Sequence, residues 1–374
     1  MKEISLYVHI PFCKQKCLYC DFPSYAGKEN LEDSYIDSLI KEINLKCKGK
    51  IIKTLFIGGG TPSYLKEENL NNLLVCLNSL KYKEGSEKTI ECNPGTLTSE
   101  KLKIIKDNGI NRISMGLQTT NNNLLKKIGR IHTMKEFEEN YNRAREFGFN
   151  NINIDIMFGL PNQSVLDYKK SLEDIVKLNP EHISCYSLII EQGTPFYNMN
   201  EKGLLKLPTE DEERKMYNIT KDILKSNGYH QYEISNYSKE NKECEHNKIY
   251  WKLEEYIGVG VSASSYIDSN RIKNIDDIKE YINKINNKEA VEESIIKNSK
   301  KEDMEEFMFL GLRLIKGIDK NNFKRKFDKN IEDVYGDVIN KNIKKGLIED
   351  KDNYIYLTSK GVEVSNYVMS EFIK

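Results

Sequence analysis

The chain has 374 residues, 57 Lys+Arg against 57 Asp+Glu, and 39% hydrophobic residues. Zero net charge excludes a global pull on nucleic acid or anionic lipid, and the length and apolar content suit two to three domains with buried cores. No apolar run reaches the roughly 18 residues of a membrane span, and the opening Met1-Lys2-Glu3-Ile4-Ser5-Leu6 lacks a signal-peptide core, so a cytoplasmic protein is expected.

Short apolar runs at 4–10, 52–58, 88–94, 112–118, 151–159 and 182–190 are mostly rich in Ile, Val or Phe and mostly end at or near Gly or Pro. That is how buried parallel strands read. Between the first two, Leu31, Tyr35, Ile36, Leu39, Ile40 and Ile43 share one helical face, and further helices fit 66–80, 98–108, 134–147 and 164–178. Six β/α units predict a parallel sheet with crossover helices, either doubly wound or a barrel, and fall short of the eight of a closed (β/α) barrel. A charged helix fits 209–227 and a strand 229–235, followed by a polar loop to about 250 and the run Ile257-Gly258-Val259-Gly260-Val261. The Asn-, Lys- and Glu-rich stretch 270–300 reads as helix plus linker. From 302 the pattern is a buried helix, helices at 319–327 and 331–345, a hairpin over 346–357 and a last helix. Helices with a hairpin wing look like a winged-helix domain. Acidic residues interrupt its basic helices, which argues against nucleic-acid binding. The expected organisation is 1–235, 236–300 and 301–374.

Three of the eight cysteines fall together, in Phe12-Cys13-Lys14-Gln15-Lys16-Cys17-Leu18-Tyr19-Cys20-Asp21-Phe22. Soft thiolates select zinc, copper(I) or iron–sulfur clusters. The one nearby candidate for a fourth ligand to a structural zinc is His9, so three thiolates better suit a [4Fe–4S] cube with one iron left open. Cys-x3-Cys-x2-Cys after a first β-strand resembles the signature of the radical S-adenosylmethionine (SAM) superfamily. That resemblance implies reductive cleavage of SAM at a [4Fe–4S] cluster on Cys13, Cys17 and Cys20, with an electron from a reductant protein such as flavodoxin or ferredoxin. Within the superfamily, Tyr7-Val8-His9-Ile10-Pro11-Phe12-Cys13 resembles the oxygen-independent coproporphyrinogen III oxidase group along essentially the whole chain. This implies a partial, TIM-like barrel of six β/α units carrying a C-terminal helical, winged-helix-like domain.

The same resemblance assigns further residues. Gly59, Gly60 and Thr61, in Gly58-Gly59-Gly60-Thr61-Pro62, match a segment that contacts the SAM amino group. Glu91 matches a glutamate that holds SAM, and Tyr7 and Tyr19 match other contacts, Tyr19 standing where a Phe is usual. Gln118, Arg130 and Asp155 match positions that bind a second SAM in coproporphyrinogen oxidase. Read alone, a carboxylate in an apolar strand such as Glu91 needs a partner, an isolated Arg is usually at the surface, and a glycine run is a tight turn.

Two departures separate the chain from the decarboxylating enzyme. Phe22 stands where that enzyme has another cysteine, and six residues precede Tyr7 in place of a longer extension. Both resemble the HemW-type haem-chaperone branch, with its Cys-x3-Cys-x2-Cys-x-Phe pattern. His246-Asn247-Lys248-Ile249-Tyr250-Trp251 resembles that branch's haem-associated motif and contains the only Trp. Haem iron takes an axial His, although a buried Trp beside a hydrogen-bonded His is the simpler structural reading. The expectation is a haem carrier that holds haem through His246 and Trp251 and delivers it to acceptor proteins. The alternative is a coproporphyrinogen III dehydrogenase, and a third reading is a metal-stabilised interaction protein.

Overall fold

The computed structural model describes residues 2–373. Six strands, β1 (Glu3–Ile10), β2 (Ile51–Gly59), β3 (Tyr82–Cys92), β4 (Arg112–Gln118), β5 (Ile152–Phe158) and β6 (His182–Ser187), lie parallel in sequence order. Their runs are covered on both faces, as buried parallel strands require: on β1, Ile4, Leu6, Val8 and Ile10 are inaccessible on one face, and Ser5 and His9 are buried on the other. The connecting helices Glu32–Lys46, Glu67–Asn78, Ser99–Asp107, Met134–Glu146 and Val165–Leu178 lay their apolar stripes on the same core, for example through Leu70, Leu73, Leu74 and Leu77. The helices at 134 and 165 begin with capping boxes on Thr133 and Ser164, in which side chain and backbone satisfy each other's orphan groups.

The sheet extends beyond six units. After the capped helix Glu210–Ser226, β7 (His230–Gln231) and β8 (Asn236–Ser238) add antiparallel to β6. On the other side β9 (Tyr256–Val259) pairs parallel with β1, and β10 (Ser264–Ile267), β11 (Asn270–Asn274) and β12 (Glu292–Lys297) continue antiparallel. Among the described residues this makes one sheet ordered β12-β11-β10-β9-β1-β2-β3-β4-β5-β6-β8-β7, open between β12 and β7. It is the partial barrel expected from the sequence.

The stretch 270–300 departs from expectation, since its helix Ile278–Asn286 lies between two strands. β12, the outermost strand, keeps one side unpaired, and β11 beside it is mostly half-buried, so both tolerate the charged composition that suggested a linker. The expected strand 229–235 is split into two short ones, and the polar loop to 250 contains the helix Glu245–Trp251.

The C-terminal unit matches the winged-helix expectation. Helices Lys300–Gly311, Lys320–Phe327 and Ile331–Lys344 pack on a small sheet of β13 (Ile318–Asp319), β14 (Ile348–Lys351) and β15 (Tyr354–Leu357), with β15 in the middle. Phe323 is central, with ring centroids 5.7 Å from Phe307, 4.9 Å from Phe327 and 6.2 Å from Tyr335. Ile249, Leu253, Tyr256 and Tyr266 of the barrel join this second core, so the two units share a packed boundary. No helix among the described residues is long and apolar enough to cross a membrane.

Candidate functional site

The cysteine loop leaves the C-terminal end of β1, where barrel folds place their chemistry. Backbone bonds fix its base: Cys13 N–H donates to Tyr25 O at 3.0 Å, and Tyr25 N–H to Pro11 O at 2.7 Å. His9 is the strut beneath. Its Nε2 meets the Pro23 carbonyl at 2.8 Å, which only accepts, so Nε2 carries the proton and Nδ1 accepts from Tyr7 O–H at 3.0 Å. Burial holds His9 neutral, its pKa lowered to about 4. Both nitrogens are engaged, which removes His9 as a fourth metal ligand.

Cys13 Sγ lies 3.4 Å from Thr61 Oγ1, and Arg130 Nη1 donates to Cys17 Sγ at 3.7 Å. Burial raises the pKa of the Cys13 and Cys20 thiols. Among the described residues no three His, Cys, Asp or Glu side chains stand assembled as a metal site. The donor set nevertheless suits a thiolate-bound cluster: three thiols on one loop, with a hydroxyl and a guanidinium placed to offset developing negative charge. Metal binding would displace the thiol protons that burial retains.

The glycine segment ends β2 against this loop. A Cβ on Gly60 would lie 2.8 Å from Phe12 O, 2.9 Å from Ile10 O and 3.0 Å from Cys13 Sγ, and one on Gly59, at φ +109°, would lie 2.4 Å from His9. Only glycine lets the two segments touch. Gly59 N–H donates to Glu91 Oε2 at 3.1 Å. Burial first, then the charge of Asp155, pushes the Glu91 carboxyl up to about 8.

Gln118, Arg130 and Asn93 converge over Gly116, where a Cβ would meet all three within 3.2 Å. Arg130 donates to Asn93 Oδ1 at 2.8 Å and to the Gly116 carbonyl, and Asn93 Nδ2 reaches Thr61 Oγ1 at 2.7 Å. Gln118 takes a left-handed φ of 76° at the end of β4, a strained state for a residue with a side chain. Asp155, half-buried on β5, accepts from Asn153 at 2.7 Å and Ser114 at 3.3 Å. Tyr19 packs beside Leu18 on the small apolar cluster around Leu124, Met157 and Phe196, and feels the charges of Cys17 and Arg130. Thus Tyr7, Tyr19, Gly59, Gly60, Thr61, Glu91, Gln118, Arg130 and Asp155 all lie at or just beneath the cysteine end of the barrel. Sequence reasoning passed over Asn93, the hub between Thr61 and Arg130. His132, which the sequence does not single out, has a buried Nε2 with no hydrogen-bond partner among the described residues and lines the crevice over Arg130.

His246 and Trp251 lie at the other end, near the start of the strands. His246 is inside the lumen, 1% exposed, with its ring 5.3 Å from Phe56. Thr54 Oγ1 donates to Ser5, so the contact of His246 Nδ1 with Thr54 at 2.8 Å makes Nδ1 the donor, and Nε2 accepts from Tyr250 O–H at 2.9 Å. Burial and Arg112 lower its pKa to about 3. Both ring nitrogens are therefore engaged, Nδ1 as donor and Nε2 as acceptor. Trp251 faces the boundary with the C-terminal unit: Arg313 stacks 4.3 Å from its ring, and its buried Nε1 has no acceptor among the described residues. The helix that carries both has no side-chain cap of its own. Glu87 replaces it, accepting from Glu245 N–H and His246 N–H at 3.1 Å each and from Cys244 Sγ at 3.4 Å.

Compared with known proteins, residues 7–175 match the radical SAM superfamily and residues 298–364 the HemN C-terminal domain. The chain is 41% identical to heme chaperone HemW of Bacillus subtilis over 374 residues, 99% of each chain. It is 40% identical to heme chaperone HemW of Lactococcus lactis over 373 residues, 100% of this chain and 98% of that one. Among solved structures, coproporphyrinogen III oxidase (HemN) from Escherichia coli superimposes with a TM-score of 0.86, covering 99% of this chain and 90% of that one at 23% identity, a likeness of fold. Membership of the radical SAM superfamily implies a [4Fe–4S] cluster and SAM. With full-length identities of 41% and 40% to its relatives, this chain belongs to the HemW family of the radical SAM superfamily.

Proposed function

We propose that the chain is a haem chaperone: it binds haem and passes it to acceptor proteins, and it holds a [4Fe–4S] cluster on Cys13, Cys17 and Cys20. The cluster supplies one-electron reduction of SAM, with the electron from a protein such as flavodoxin or ferredoxin. Gly59, Gly60 and Thr61 offer backbone and hydroxyl groups to the amino-acid part of SAM, and Glu91 offers its carboxyl. Tyr7 and Tyr19 close the pocket against water, and Gln118, Arg130 and Asp155 form its far wall. The protein works in the cytoplasm, without nucleic acid.

One observation carries the carrier reading over the decarboxylase reading. The helix with His246 and Trp251 packs against the beginning of the strands, with His246 on Thr54, whereas the cluster loop touches their ends at Gly60. Six residues of strand separate Thr54 from Gly60, about 20 Å at the usual rise, and the lumen between them is filled by Phe56, whose ring lies 5.3 Å from His246 and 6.3 Å from Tyr7. Hydrogen abstraction from a porphyrinogen needs the substrate against SAM, whereas carriage does not. In an anaerobic preparation of the full chain we expect about four irons with matching sulfide, stoichiometric haem, and no decarboxylation of coproporphyrinogen with SAM and reductant. Robust decarboxylation would overturn the carrier reading in favour of the dehydrogenase. Bound zinc without iron would leave only a metal-stabilised interaction protein.

A further inference from the structure

Between the base of the barrel and the C-terminal unit lies a cleft of about 810 Å³, inside the range of roughly 300–1,000 Å³ usual for cofactor-sized ligands. Trp251 and Phe307 meet Leu314 and Tyr354 there, an apolar floor and wall contributed by both units. The charges around it are not evenly satisfied. Each carboxylate on its lining is tied: Glu3 to Lys83 at 3.0 Å, Glu255 to Lys2 at 2.6 Å, Glu254 to Lys53, Glu243 to His230 at 3.0 Å, and Asp319 to the backbone of Asn321 at 2.8 Å. Lys252, Lys316 and Lys326, also on the lining, have no carboxylate partner among the described residues: Lys316 lies 4.6 Å from the ring of Tyr354, and Lys326 donates to the Leu253 carbonyl. Trp251 adds a buried N–H without an acceptor among the described residues.

From this geometry, and resting on the haem-carrier reading, we infer that the cleft is the cargo site: it takes a flat apolar macrocycle bearing carboxylates, with the ring on Trp251 and the propionates on Lys252, Lys316 and Lys326. His246 does not line this cleft and has no free nitrogen. It is a positioning residue that, through Thr54 and Tyr250, holds the helix from which Trp251 projects. Ring contact and charge pairing do not need iron, so metal-free protoporphyrin IX binds as well, and masking its carboxylates weakens it.

The test is a set of titrations of the full chain, followed by absorbance and fluorescence. The wild type is expected to bind haem and protoporphyrin IX in competition, and to bind the dimethyl ester at least tenfold more weakly. Lys252→Glu and Lys316→Glu, both surface changes that leave folding intact, are each expected to raise Kd for haem about tenfold, as is Trp251→Phe to a lesser degree. His246→Ala, once saturated, is expected to show the wild-type haem spectrum. If the wild type binds haem while the charge variants and the ester bind as tightly as their references, the cleft assignment is wrong and the carrier reading stands. A changed spectrum in saturated His246→Ala makes His246 a ligand and also overturns the cleft assignment. If the wild type binds no haem, the carrier reading falls and the inference with it.

Discussion

Glu87→Ala isolates the clamp that sets the haem-motif helix. Glu87 is 8% exposed at its side chain, receives the first two amides of the helix, and faces the Arg112 guanidinium at 3.9 Å, itself 2% exposed. Hydrogen bonds to a charged group contribute about 1.5–3 kcal/mol each, and removing one partner of a buried ion pair costs about 3–5 kcal/mol, because the other charge is left unpaired. These effects overlap, since both describe one carboxylate, so about 4 kcal/mol is expected. That is a large part of the 5–15 kcal/mol typical of a domain. Glu87→Gln keeps acceptors for the amides and loses only the charge, so it is expected to cost about half as much. Urea denaturation of both variants, with Arg112→Gln and the Glu87→Gln/Arg112→Gln double variant, completes a cycle in which the pair couples by more than about 1 kcal/mol. A loss below 1 kcal/mol in Glu87→Ala, or additive single variants, would refute the clamp.

The remaining predictions concern the cluster end, pH and the C-terminal core. Gly60→Ala puts a methyl against two backbone carbonyls that have no room to move. Iron content after anaerobic reconstitution is expected to fall several-fold, and full loading would show that the loops can separate. Buried neutral histidines make the metal-free chain acid-labile. His9 at about 4, and His132 and His246 at about 3, lie below the unfolded 6.5, so their contribution is present above pH 6.5 and lost as pH falls toward those values. The slope is up to about 1.4 kcal/mol per pH unit for each. Glu91, raised to about 8, acts in the opposite sense, its contribution being lost as pH rises through 8. With His182, also lowered by burial, four histidines outnumber the three carboxyls that burial raises, Glu91, Asp155 and Glu233, so the urea midpoint should drop between pH 6.5 and 5; a flat or rising midpoint contradicts this. Phe323→Ala empties the aromatic centre of the C-terminal unit and is expected to cost about 3–5 kcal/mol by thermal unfolding, with less than 1 kcal/mol counting against that packing.

The parallel strands were legible because a strand covered on both faces must be apolar throughout and must stop where glycine or proline turns the chain. The cluster loop was legible because three soft ligands in eight positions have few other uses. Other features depend on residues far apart in sequence. The helix at Glu245–Trp251 has seven residues, too few for periodicity, and its cap comes from Glu87 on β3. Asn93 carries no local pattern, and its importance lies in Thr61 and Arg130 reaching it from other units. β12, at the edge of the sheet, and β11 next to it were missed because neither has a fully buried face to impose an apolar pattern. His246 and Trp251 are five residues apart, about 140° of helical rotation, so they project to different sides of their helix. Tyr250, four residues from His246, shares its face and takes its nitrogen.

The two ends of the barrel are joined through its lumen. Cys244 N–H donates to Tyr232 Oη at 3.3 Å, and Tyr232 lies 2.9 Å from His182 Nε2. His182 Nδ1 lies 2.6 Å from Asn153 Oδ1, and Asn153 Nδ2 donates to Asp155 at 2.7 Å. An amide oxygen only accepts, so His182 Nδ1 carries its proton and Nε2 accepts from Tyr232. Every donor in the chain therefore points the same way, from the N-cap of the haem-motif helix to a carboxylate at the cluster end. Burial and Arg112 keep His182 neutral, which preserves that direction. Tyr232 also lines the interdomain cleft, so this one polar column runs from the wall of that cleft to Asp155 beneath the cluster loop. A barrel packed only with apolar side chains would hold its strands equally well; the column in addition fixes the register of the cleft wall against Asp155.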